Sequence, residues 1–141
     1  MHARDESQSD EAPKLRWMVA AVGLSALGMA FHTVREFGYA GLLSLGTGTI
    51  PFVGVQVVLV ALWWRVRPAR TVVGRALAVT GVIQLLGGAI ISVLPLPFLP
   101  FQPEQSGRHY LTHLVYGLAQ LPLIVVPLYQ AGRRRSNQSG A

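Results

Sequence analysis

The chain has 141 residues, 51% hydrophobic and 13% charged, with a formal net charge of +6 and no cysteine. The missing cysteines exclude disulfide staples, thiolate metal sites and thiol–disulfide chemistry. A soluble domain of this size buries one stripe of each helix and would have no place for four near-continuous apolar runs. The sequence therefore specifies an all-α integral membrane protein.

Residues 1–13 are polar and carry Asp5, Glu6, Asp10 and Glu11; they read as a disordered acidic cytoplasmic tail. Residues 14–132 form the transmembrane domain, with spans expected at about 15–34, 42–64, 72–94 and 109–130. Each approaches the roughly 20 residues that a helix needs to cross the hydrocarbon layer. The first span starts at Trp17 and repeats small or polar residues as Ala21, Ser25, Gly28 and His32. That spacing marks one helix face against which another helix can pack closely. Gly28-Met29-Ala30 has the form of a signal-peptidase site, but the apolar run continues past it to Val34, so the span is expected to be retained.

From Pro51 to Trp64 there are only 14 residues, about 21 Å of helix. The second span is therefore expected to begin near Leu42 and to be irregular around Gly46–Pro51, ending in Trp63 and Trp64 as an interfacial pair. The third span contains Thr80, Gln84, Gly87 and Gly88, and Pro95, Pro97, Pro100 and Pro103 make the loop after it extended. Pro122 and Pro127 are expected to bend the inner half of the fourth span. Residues 133–141 are a basic cytoplasmic tail suited to anionic headgroups.

Ten of the twelve Lys and Arg residues lie before or at the start of the first span, in the connection between the second and third spans or at its edge, or after the fourth. Cytoplasmic loops are the ones enriched in these residues, so the four-helix bundle is expected N-in and C-in, in the inner (plasma) membrane. The same placement at helix ends explains the high pI without a nucleic-acid partner. Expected partners are membrane lipids, other membrane subunits or further copies of the chain. Arginine greatly outnumbers lysine, which points to a GC-rich prokaryotic genome.

Polar residues inside a membrane are costly and usually face the interior, often at a site. Here they form two layers. The outer one holds His32, Arg35 and Glu36 from the first span and His109 and His113 from the fourth. The middle one holds Gln56, Gln84 and Gln120, and Tyr116 lies between the two. His109, His113, Tyr116 and Gln120 share one helix face by their spacing. Three imidazoles and a carboxylate suit Zn²⁺, Fe²⁺ or Cu²⁺, with His32, Glu36, His109 and His113 as metal ligands. Arg35 and Tyr116 are further binding residues. His32 and His113 can also be read as axial ligands of haem, and the same groups as hydrogen-bond partners of a quinone or lipid head group.

Plainer readings apply to the same residues. His109 beside Arg108 can be a hydrated interfacial group, Arg35 and Glu36 an ordinary helix-end charge pair, and the glutamines interhelical glue. No nucleophile–base pair, phosphate loop or pair of catalytic carboxylates is present, which argues against a stand-alone enzyme. The expected function is a binding or redox component with a site in the outer half of the bundle. An accessory subunit of a membrane complex with no ligand of its own, or a small transporter, are the alternatives.

Overall fold

The computed structural model describes residues 11–139, with side chains for residues 14–132. Of the tail expected to be disordered, 1–13, residues 1–10 lie outside the described residues and residues 11–13 open the first helix; the side chains of the basic tail also lie outside them. All described elements are helical: α1 (Glu11–Leu42), α2 (Thr49–Arg65), α3 (Arg70–Ile83) and α4 (Gly107–Ser139). The α3 axis continues through a π-helical stretch, Gln84–Ile90, and a 3₁₀ turn, Ile91–Val93. No strand occurs among the described residues.

Three stretches are long and apolar enough to cross a membrane: Lys14–Leu42, Arg67–Val93 and Gly107–Gly132. The first is longer than expected, because the helix continues past Val34 and through a backbone break at Gly38, whose φ of 71° favours glycine. The span expected at 42–64 differs more, and its helix is not among the three. Helix is absent from Leu43 to Gly48 apart from a 3₁₀ turn at Leu45–Thr47, so α2 has 17 residues, about 25 Å. Ser44 caps the turn through its side chain, and Gly48 closes it in the left-handed region at φ 79°. The run of glycine and threonine therefore joins two helices and does not extend the second. Helix α4 runs unbroken through Pro122 and Pro127.

Each helix packs against its sequence neighbours, and α1 and α4 share the most extensive interface. Gly28 makes that approach possible: a Cβ there would lie 2.4 Å from Ala119 Cβ. At the cytoplasm-facing end of the expected topology, Met18, Val22, Trp63, Val73, Leu77 and Leu123 form one buried apolar cluster. At the other end Met29, Ala89 and Tyr116 form a second. Trp63 is thus a core residue, 3% exposed, and only Trp64 of the expected interfacial pair reaches the surface. Arg70 explains part of this. Its guanidinium lies 4.9 Å from the Trp63 ring, and its Nε donates to the Trp63 carbonyl at 2.8 Å. A cation so placed satisfies the last carbonyls of α2.

Between the two apolar clusters lies a polar layer with one residue from each helix. Ser25, Gln56, Gln84 and Gln120 are each no more than 2% exposed. Ser25 Oγ donates to Gln120 Oε1 at 2.7 Å and accepts from Gln56 Nε2 at 3.2 Å. This bonding ties α1, α2 and α4 together at mid-depth. Gln84 stays outside it.

Candidate metal centre

The outer cluster is built mainly on α1 and α4, because those helices approach most closely. Four-residue spacing puts His32 and Glu36 on one face of α1, and His109 and His113 on one face of α4. Glu36 Oε2 lies 3.0 Å from His109 Nδ1. His32 Nε2 and His113 Nε2 lie 3.1 Å apart. The His109 and His113 rings are 4.5 Å apart at their centroids, and the His32 ring is 5.1 Å from Tyr116. Glu36, His109 and His113 form a group that could hold a metal ion, with one ligand atom from each within 4.8 Å of the others. His32 reaches this group through His113.

Burial and hydrogen bonding decide which ring atoms are free. His109 is 8% exposed and His113 5%. With Nδ1 donating to the Glu36 carboxylate, the other ring nitrogen of His109, Nε2, finds no partner among the described residues although it is buried. In His113 the Nδ1–H donates to the Gly88 carbonyl at 2.9 Å, which leaves Nε2 with a lone pair. A histidine whose Nδ1–H is held by a backbone carbonyl or a carboxylate is oriented for metal binding through Nε2.

The residues differ in how far they join the cluster. His32, Glu36, His109 and His113 come together as the spacing implies, and Tyr116 is buried against them. Arg35 does not join; it is exposed. Sequence reasoning missed the part played by α3. The π-helical stretch brings the Gly88 carbonyl to His113, and Ser92 Oγ donates to the same carbonyl at 2.7 Å. π-Helical turns recur at functional sites. The Gly87-Gly88 pair was the available signal, since a Cβ on Gly88 would come 2.7 Å from the Tyr116 ring.

The separation of His32 and His113 also bears on haem. Two axial nitrogens on one iron stand about 4 Å apart, at ~2.0 Å per bond, with the macrocycle between the rings. At 3.1 Å the two imidazoles touch each other directly. No protein-family profile, no curated protein and no solved structure matches this chain.

Proposed function

We propose that this chain is a four-span inner-membrane protein, N-in and C-in, that holds a divalent transition-metal ion in the outer half of a four-helix bundle. In this reading Glu36, His109 and His113 are ligands, and His32 completes the set by exchanging its hydrogen bond to His113 for a bond to the ion. The carrying observation is the convergence of three ligand atoms within 4.8 Å from two helices. Ligands about 2.0–2.2 Å from one ion lie about 3.0–3.5 Å from each other. The His32 Nε2–His113 Nε2 separation, 3.1 Å, fits one edge of such a polyhedron.

The donor set of imidazole and carboxylate suits Zn²⁺, Fe²⁺ or Cu²⁺. Zn²⁺ would make the protein a binding component, whereas Fe²⁺ or Cu²⁺ would make it an electron carrier. A hydrolytic role lacks a second carboxylate: Glu104, the other one beyond the N-terminal tail, is exposed on the loop after α3. The orientation rests on the clustering of ten of twelve cations at one set of helix ends. Helix α2 falls a few Å short of the usual hydrocarbon thickness of about 30 Å, a mismatch that local thinning accommodates at modest cost.

The test is a titration of detergent-purified, chelator-treated protein with Co²⁺, read by its visible d–d bands. One equivalent should bind, and Zn²⁺ should displace it. His113→Gln, His109→Gln and Glu36→Gln each remove a ligand and should each abolish the bands. A wild-type protein that gives no bands and retains no Zn²⁺ on dialysis would leave the accessory-subunit reading in place of this one.

A further inference from the structure

Gln84 is the one member of the mid-depth polar layer that does not tie helices together. Its Nε2 donates to the Thr80 carbonyl of its own helix at 3.2 Å, and its Oε1 has no partner among the described residues. The side chain is 2% exposed. An unpaired amide oxygen at this depth carries a desolvation penalty that a leucine would avoid. Interhelical glue does not account for it. An arriving hydrogen-bond donor would.

A cavity of about 290 Å³ lies beside the Gln84 side chain, and the buried oxygen meets a donor in it once the amide turns toward the cavity. It lies between α1, α2 and the π-helical part of α3, and its walls include Met29, His32, Phe52, Gln84, Gly87 and Tyr116. The lining is mostly apolar, with a few polar groups that fix orientation, as in small-molecule sites generally. Its size is at the lower end of the roughly 300–1,000 Å³ range of such sites, which suits a single ring with small substituents. Ile83 is 52% exposed and also lines the cavity, so the rim faces the side of the molecule where lipid would lie. Gly87 lies on the same rim, and a Cβ there would have nothing within 4 Å.

We propose that this cavity binds a small, largely apolar molecule carrying a hydroxyl, a phenol or hydroquinone ring in type, which enters from the lipid side and donates its hydrogen bond to Gln84 Oε1. His32 is the wall shared with the metal centre. Gln84 is no ligand in that centre, so the two sites stand or fall separately.

The full chain in detergent, stripped of metal with a chelator, is titrated with 4-fluorophenol and, in parallel, with 4-fluoroanisole, which has no hydroxyl to donate. Both are followed by fluorine NMR. Wild-type protein should bind the phenol saturably and the ether at least several-fold more weakly. Gln84→Leu should weaken phenol binding about ten-fold, the equivalent of one hydrogen bond, and leave the ether unchanged. Gly87→Leu fills the rim and should abolish saturable binding of both. Equal phenol affinity in wild type and Gln84→Leu would overturn the proposal. So would non-saturable partitioning that Gly87→Leu does not alter, the result expected of a cavity that holds water only.

Discussion

His32 and His113, 81 residues apart, meet Nε2 to Nε2 at 3.1 Å, and only one of these nitrogens can carry the proton between them. The Gly88 carbonyl decides which. By taking the Nδ1–H of His113 it leaves that ring's Nε2 as acceptor, so His32 is the donor. An ion bound to His113 Nε2 would occupy the lone pair that His32 now uses. His32 would then have to move its own proton to Nδ1 before joining the ion. In nitrogen-15 spectra of metal-free protein with neutral rings, we expect His113 as the Nδ1–H tautomer and His32 as Nε2–H. Adding Zn²⁺ should convert His32 to Nδ1–H. Finding His113 as Nε2–H in the metal-free protein would break the link between Gly88 and the site.

Ser25 has a different kind of leverage, because one hydroxyl serves two glutamines. Ser25→Ala removes the bonds to Gln120 and Gln56 and leaves two buried polar atoms without partners. Single interhelical hydrogen bonds in membranes contribute about 0.6 kcal/mol on average, and orphaned groups add to the loss. Together these give an expected destabilisation of about 1–2 kcal/mol, measurable by steric trapping in bicelles. Gln84→Leu should show no loss in the same assay, since the Gln84 oxygen is already unpaired. Equal effects of the two substitutions would mean that the mid-depth layer does not act through these bonds.

The parts of this molecule that were legible in the sequence are those that depend on helical periodicity. Ser25, Gly28 and His32 do meet α4, at Gln120, Ala119 and His113, Ala21 is buried as expected, and His109 and His113 do point to the same interior. Periodicity assigns side chains to faces and carries no information about backbone carbonyls. Beyond the Gly87-Gly88 pair itself, nothing in the pattern marked the Gly88 carbonyl that orients His113 or the π-helical stretch that presents it. Local composition misled in two places. Gly46–Pro51 read as an irregular stretch inside a span beginning near Leu42, because hydropathy does not show that the Gly48 turn ends one helix and starts another. Trp63 and Trp64 read as an interfacial pair from their place at the end of the span, whereas Trp63 is buried with Arg70 over its ring. Arg35 was placed with His32 in the outer polar layer by depth, yet its position around the helix leaves it exposed.

Close approach of α1 and α4 positions every candidate ligand, and Gly28 controls it. A methyl group at Gly28 would collide with Ala119, the two Cβ atoms standing 2.4 Å apart. Gly28→Ala should cost about 1–3 kcal/mol, the usual range for overpacking, and should weaken Co²⁺ binding. Adding Ala119→Gly should recover part of both losses. Gly23 lies on the same helix with nothing within 4 Å of its position. There the alanine should be neutral, or stabilising by up to about 1 kcal/mol through helix propensity. A Gly28→Ala protein as stable as Gly23→Ala would mean that the helices can separate without consequence.

The proposed topology can be tested because the natural chain has no cysteine, so each introduced thiol is the only one present. Leu45 is 70% exposed between α1 and α2, and Phe98 is 73% exposed after α3. Pro68 is exposed in the connection between α2 and α3. Each can be replaced by cysteine and treated with a membrane-impermeant maleimide in intact cells, with the outer membrane permeabilised if one is present. We expect Leu45→Cys and Phe98→Cys to react from outside, and Pro68→Cys to react only after the inner membrane is opened. Inverted labelling at all three sites would keep four spans and reverse the orientation. The sharper result concerns α2, whose 17 residues make it the shortest crossing. If Leu45→Cys and Pro68→Cys react from the same side while Phe98→Cys reacts from the other, α2 does not cross. The arginines at 65, 67, 70 and 75 would then share a side with the α1–α2 turn, and the charge asymmetry would no longer set the orientation.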